Sequence, residues 1–208
     1  MIDSSKAPLS KVCVYCASSN QCDKVYRDAA FEVGSLLAQN NISIVYGGSS
    51  AGSMGALADG AIKHGGRITG ILPEFLNTIE RAHTGLDDLI VVNDLHERKR
   101  MMIEGVDGVV SLPGGIGTFE ELLEAMTWKR LGLHPLPIVL VNTNNYFEPL
   151  IQLIDKAISE RFLNQDQRNI FDTVKFPEEL ISALLSGRTV DNFNSCLSYL
   201  GPHFLSQS

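Results

Sequence analysis

From Lys11 onward two hydrophobic patterns alternate along the chain. Short runs apolar at nearly every position, such as Ile42–Tyr46 and Val109–Leu112, give way to longer stretches in which apolar residues return every three or four positions, such as Ala30, Val33, Leu36 and Leu37. The first pattern suits a strand buried on both faces, the second a helix with one buried side. On this basis strands are expected at Lys11–Cys16, Ile42–Tyr46, Arg67–Leu72, Leu89–Val92, Val109–Leu112, Pro137–Val141 and Thr173–Phe176. Helices are expected at Lys24–Gln39, Gly52–His64, Leu95–Glu104, Thr118–Leu131, Tyr146–Glu160 and Glu178–Leu185. Strands of this kind alternating with helices predict an α/β fold: a parallel sheet covered on both sides, with right-handed crossovers. No repeat or linker divides the chain. One domain is expected over residues 1–208, with its core at about 11–185 and an irregular tail at 187–208.

In such sheets ligands bind beyond the carboxyl ends of the strands, near the point where strand order reverses. The informative segments are therefore the loops that end strands: Ala17-Ser-Ser-Asn20, Gly47-Gly-Ser-Ser-Ala-Gly52, Pro73–Leu86 and Pro113–Thr118. Ser18, Gly47 and Gly48 are candidate contacts from the first two. The last is the richest, reading Pro-Gly-Gly-Ile-Gly-Thr-Phe-Glu-Glu from Pro113 to Glu121. Its glycines let backbone approach a ligand closely, and the helix that follows turns free N–H groups and its positive dipole end toward the same place, which suits a phosphate. Neither glycine loop fits the dinucleotide fingerprint, since Glu120 falls where the third glycine is required, and no Gly-Lys-Ser/Thr sequence is present for a Walker loop. Two glycine loops at strand ends favour a mononucleotide-sized ligand.

Charge narrows the partners further. A net charge of −7 argues against a nucleic-acid polymer. The densest basic cluster is His96-Glu-Arg-Lys-Arg100, at the start of a helix where cations oppose the dipole by about a few tenths of a kcal/mol each, which invites an anion. The N-terminus lacks a signal-peptide core and no run approaches membrane-spanning length, so a cytoplasmic protein without membrane attachment is expected. Of Cys13, Cys16, Cys22 and Cys196, the first two form a C-x-x-C pair with no second ligand pair, which reads as buried small hydrophobes rather than zinc or redox chemistry. His83, His96 and His134 lack metal-site spacing, and nothing singles out Lys63 or Lys99 for a Schiff base, so neither metal nor cofactor is expected.

Two carboxylates directly after an anion loop are unusual. Thr118-Phe-Glu-Glu121 has the form of a capping box, in which Glu121 would return to the N-cap amide. The alternative is a carboxylate reserved for a different part of a phosphorylated substrate.

Together, Tyr46-Gly-Gly, Gly52-x-x-Gly55, His96-Glu-Arg-Lys99 and Pro113-Gly-Gly-x-Gly-Thr-x-x-Glu121 resemble the LONELY GUY family of cytokinin riboside 5′-monophosphate phosphoribohydrolases, whose members are often labelled lysine decarboxylases. The resemblance runs from about Lys11 to Leu185. It implies a Rossmann-like doubly wound fold, a homodimer, and hydrolysis of the N-glycosidic bond of a nucleoside 5′-monophosphate, a cytokinin nucleotide or AMP, to nucleobase and ribose 5-phosphate. By the same resemblance Arg98 and Glu121 are the catalytic pair. The substrate contacts are Glu80, Lys99, Gly114, Gly115, Ile116, Gly117, Thr118, Phe119, Glu120 and Thr127. Glu121 would stabilise the oxocarbenium ion or activate water, and Arg98 would orient Glu121 or touch the ribose or phosphate. Cys-Ala-Ser-Ser here replaces the Cys-Gly-Ser-Ser of many members, and Ser49 stands where many have a third consecutive glycine. Met101, Met102, Met126 and Trp128, beside the motifs, read by default as core residues, and their type beside arginine also makes them candidates for the dimer contact. A nucleotide- or cofactor-binding carrier resembling molybdenum-cofactor carriers is the alternative.

Overall fold

The computed structural model describes residues 9–76 and 81–187. Glu80 and the tail after Gly187 lie outside the described residues. Among the described residues seven strands, β1 (Lys11–Tyr15), β2 (Ser43–Tyr46), β3 (Ile68–Pro73), β4 (Asp88–Val92), β5 (Val109–Ser111), β6 (Ile138–Val141) and β7 (Asp172–Val174), are interleaved with six α-helices, α1 (Lys24–Gln39), α2 (Gly52–Lys63), α3 (Leu95–Ile103), α4 (Ile116–Arg130), α5 (Glu148–Ser159) and α6 (Leu180–Ser186), with no α-helix between β3 and β4. The apolar runs form one sheet in the order β4-β3-β2-β1-β5-β6-β7, each pair parallel. The order climbs outward from β1 in one direction and from β5 in the other. The β1/β5 junction, where Tyr15 sits opposite Ser111, is therefore the reversal point at which doubly wound sheets leave a crevice.

Strand residues alternate between two cores, one per face. Val12, Val14, Ile44 and Tyr46 pack with Val33 and Leu37 of α1, Leu57 and Ala61 of α2 and Leu184 of α6. Cys13, Val45, Val109 and Leu140 pack on the other side with Met102 of α3 and Leu122, Ala125 and Met126 of α4. This alternation separates the cysteine pair: Cys13 belongs to one core and Cys16 to the other, both buried and neither in a disulfide. Met102 and Met126 are likewise core residues, whereas Met101 and Trp128 are only half-buried. Helix α5 has no fully buried residue; its Leu150, Ile151 and Ile154 lean on the second core while Leu153 faces outward. No helix among the described residues is long and apolar enough to cross a membrane.

One boundary shifts where the chemistry is. Helix α4 begins at Ile116, not Thr118, with Gly115 as its N-cap in an extended conformation. Thr118 is thus the third residue of the helix and the capping box does not form; no side chain caps α4.

Candidate active site

Helix α4 starts at the reversal point, and its geometry leaves the N–H groups of Ile116, Gly117 and Thr118 without intrahelical acceptors, since the first helical bond runs from Phe119 N–H to Gly115 C=O. Gly115, Ile116 and Gly117 are exposed, Ile116 by 82%. The three glycines differ in what they avoid. A Cβ on Gly114 would collide with the Thr118 side chain, whereas a Cβ on Gly115 or Gly117 would meet no protein atom within 4 Å. Neither has a positive φ, so nothing in the chain itself requires glycine there. The clear space lies in front of the helix N-terminus, where an anion would sit.

The second glycine loop is spent on packing. The N–H of Gly52 donates to Asn20 Oδ1 (2.9 Å), and that of Met54 to the Ala17 carbonyl (3.0 Å), so α2's first amides are taken by the Ala17–Asn20 loop. Ser18, half-buried, lies against Gly52, whose φ of +60° and tight surroundings admit no side chain. Gly48 turns the chain and accepts the His83 N–H. Gly47 is without a Cβ because the Arg98 guanidinium occupies that place. The first amides of α2 are thus engaged within the protein, whereas those of Ile116, Gly117 and Thr118 at the start of α4 have no intrahelical acceptor.

Arg98 and Glu121 meet beside it. Asp94 accepts the Glu97 N–H at the N-cap of α3, fixing a start that directs Arg98 inward, 6% exposed, with its Nη2 donating to the Gly47 carbonyl (3.3 Å). Its Nη1 lies 3.9 Å from Oε1 of Glu121, which is 7% exposed. Glu121 is four residues beyond Gly117, so the two share a helix face. Burial first, then the Glu121 charge, pushes the Cys13 thiol well above its usual range; burial, Cys13 and Glu121 do the same for the Tyr15 phenol. Helix α4 packs against β1, which sets Glu121 near both groups. The Arg98 Nε is buried without a hydrogen-bond partner among the described residues, an unusual state for a charged donor.

The neighbouring charges pair between α3 and α4. Lys99, equally buried, reaches across to α4, where its Nζ bonds Glu120 and Glu124 (2.8 Å to the latter). Burial works against its charge, but the two carboxylates outweigh it and raise its pKa. In the single chain Lys99 and Glu120 thus join α3 to α4. Glu120 and Glu124 stand at i, i+4 spacing, a sequence signal for a shared cation. Thr127 lies about 18 Å along α4 from Gly115 at 1.5 Å per residue, its hydroxyl donating to the Leu123 carbonyl. Phe119 is half-buried and stacks on Tyr146 at 6.2 Å between ring centres. Tyr146 had no mark in the sequence beyond an aromatic pair after an Asn-rich turn, yet its hydroxyl donates to the Gly114 carbonyl. No cluster of three or more His, Cys, Asp or Glu among the described residues is arranged to hold a metal.

Fold and geometry define a class: a doubly wound α/β protein whose glycine-flanked helix N-terminus opens beside a buried guanidinium–carboxylate pair. Comparison gives the class its name. The profile of the family described as "Possible lysine decarboxylase" matches residues 54–184. The probable cytokinin riboside 5′-monophosphate phosphoribohydrolase LOGL2 of Oryza sativa subsp. japonica is 42% identical over 84% of this chain and 71% of its own. The corresponding enzyme LOG2 of Arabidopsis thaliana is 37% identical over 88% and 86%. The chain belongs to the LONELY GUY family of phosphoribohydrolases. Among solved structures, the molybdenum cofactor carrier protein of Chlamydomonas reinhardtii superposes with a TM-score of 0.67 at 19% identity, covering 86% of this chain and 98% of its own. The molybdenum cofactor binding protein of Rippkaea orientalis gives 0.61 at 22%, covering 89% and 100%. Those likenesses establish a shared fold.

Proposed function

We propose that this chain hydrolyses the N-glycosidic bond of a nucleoside 5′-monophosphate, with cytokinin riboside 5′-monophosphates and AMP as substrates. One observation carries the reading: a buried carboxylate with a guanidinium 3.9 Å away, one helical turn below an N-terminus at which Gly115 and Gly117 leave open space where side chains would stand. The N–H groups of Gly115 to Thr118 hold the 5′-phosphate, and the ribose then extends along the face shared by Gly117 and Glu121. As the C1′–N bond breaks, its electron pair leaves with the base and positive charge grows on the ribose ring. Water adds its oxygen to C1′, and the water proton balances the charge on the departing base nitrogen. Glu121 stabilises the ring charge more in the transition state than in the ground state. Arg98 holds Glu121 in place from its seat on Gly47.

Incubation with AMP and with the N6-isopentenyl analogue should release free base and ribose 5-phosphate in equal amounts, detectable by chromatography. Tight nucleotide binding with no base released from either would favour a carrier instead. The relatives named as phosphoribohydrolases are 37–42% identical, whereas the carriers are 19–22% identical, and holding a phosphate gives no reason to bury a carboxylate next to it.

The anion reading also makes a prediction at Gly117. Alanine there meets no protein atom and gains about 0.5–1 kcal/mol of helix propensity, so Gly117→Ala should melt no lower than the wild type. Its Cβ points back toward the helix N-terminus and the phosphate, so KM for AMP should rise at least about tenfold, a loss of roughly 1.4 kcal/mol. An unchanged KM would remove the phosphate from this position.

The reading includes a homodimer. Leu133, Leu153 and Phe162 expose apolar surface, and α5 is covered on one side only. Light scattering at micromolar concentration should return twice the chain mass of 22.7 kDa.

A further inference from the structure

We infer that Tyr146 is a positioning residue of the anion loop, selecting for phosphorylated ligands by fixing the direction of one backbone N–H; this rests on the phosphate placement proposed above. The Tyr146 hydroxyl donates to the carbonyl of Gly114 at 2.5 Å, across 32 residues of sequence. Gly114 and Gly115 share one trans peptide unit, and in such a unit the C=O and N–H point in opposite directions. Holding the Gly114 oxygen against the phenol therefore aims the Gly115 N–H away from Tyr146, at an exposed residue whose Cβ position is clear of protein atoms. Two glycines in a row leave that peptide otherwise easy to rotate, because neither flanking residue restricts it through a Cβ. The phenol supplies the constraint that the sequence lacks.

The tyrosine is itself held by three aromatic rings. Its ring stacks on Phe119 and meets Tyr26 and Phe147 edge-on at 5.7 and 5.3 Å. Its backbone is set by the turn before it: Asn144 and Asn145 take positive φ, the Tyr146 N–H donates to the Thr143 carbonyl, and the Phe147 N–H donates to Asn142 Oδ1 (2.7 Å). The turn is a short connection out of β6, so the rigid sheet fixes where the hydroxyl lands.

The test is Tyr146→Phe, which keeps the ring contacts and removes the donor. Calorimetric titration with ribose 5-phosphate should show Kd raised about five- to tenfold, the effect of one hydrogen bond acting on one ligand amide. KM for AMP should rise by the same factor, kcat should stay within about twofold, and the melting temperature should barely move. Tyr26→Phe, which touches the same ring without reaching the loop, should leave Kd unchanged. Equal Kd for Tyr146→Phe and wild type would overturn the inference, as would a loss confined to kcat and melting temperature, the signature of a structural role alone. Should the wild type release no base from any monophosphate, the Kd comparison still decides the matter. A wild type that binds no ribose 5-phosphate would overturn both the inference and the proposed function.

Discussion

Glu121→Gln is expected to lower kcat for AMP hydrolysis by about a thousandfold while leaving the fold and the Kd for ribose 5-phosphate nearly intact. A carboxylate about 4 Å from a developing ring cation attracts it by roughly 4 kcal/mol at an effective dielectric near 20, before desolvation losses. At tenfold per 1.36 kcal/mol, that corresponds to about three orders of magnitude in rate. Glutamine keeps the volume and a hydrogen-bonding oxygen but carries no charge, so what it loses is the electrostatic part. The result also bears on the capping box suggested by Thr118 and Glu121. Because Gly115 is the N-cap and no side chain caps α4, a purely structural Glu121 has no capping task left. Single-turnover kinetics, paired with thermal melting, would check the expectation. A variant within tenfold of wild-type kcat would place the charge elsewhere.

The alternation of apolar runs was enough to read the sheet, the covered faces and most helix limits; α1 occupies the expected Lys24–Gln39. What periodicity could not reach were contacts made across the fold. Gly115 and Gly117 resemble loop residues by propensity, so the first turn of α4 was invisible and Thr118 looked like its start. The two glycine loops looked alike on paper. Only the structure separates glycines that avoid Arg98, the Ala17–Asn20 loop or Thr118 from glycines that avoid nothing in the protein. Lys99 reads as part of a basic run at a helix start, and its pairing with Glu120 and Glu124 is a contact made across the fold. The bond from Tyr146 to Gly114 joins two loops at different strand ends, and no local pattern encodes such a meeting. Motif resemblance did what periodicity could not in one respect: it named Arg98 and Glu121 together, 23 positions apart, and they approach within 3.9 Å.

Arg98→Met is the substitution with the largest expected cost to stability. Methionine follows a similar path through the core but removes the charge, leaving the buried Glu121 without its guanidinium and the Gly47 carbonyl without a donor. Removing one member of a buried ion pair typically costs about 3–5 kcal/mol, because the desolvation of the remaining charge is no longer offset. Replacing both members is far cheaper. The double variant Arg98→Met, Glu121→Gln should therefore recover most of the stability lost by Arg98→Met, through a favourable coupling of at least about 2 kcal/mol in a denaturation cycle. Activity should follow the opposite logic. Arg98→Met and the double variant should both stay at least about a hundredfold below wild type, since one has lost the residue that positions the carboxylate and the other has lost the carboxylate as well. Additive stability losses in the cycle would mean that Arg98 and Glu121 do not act as a pair. Recovered stability without recovered turnover would identify the pair as a charge held at an energetic cost for the reaction it serves.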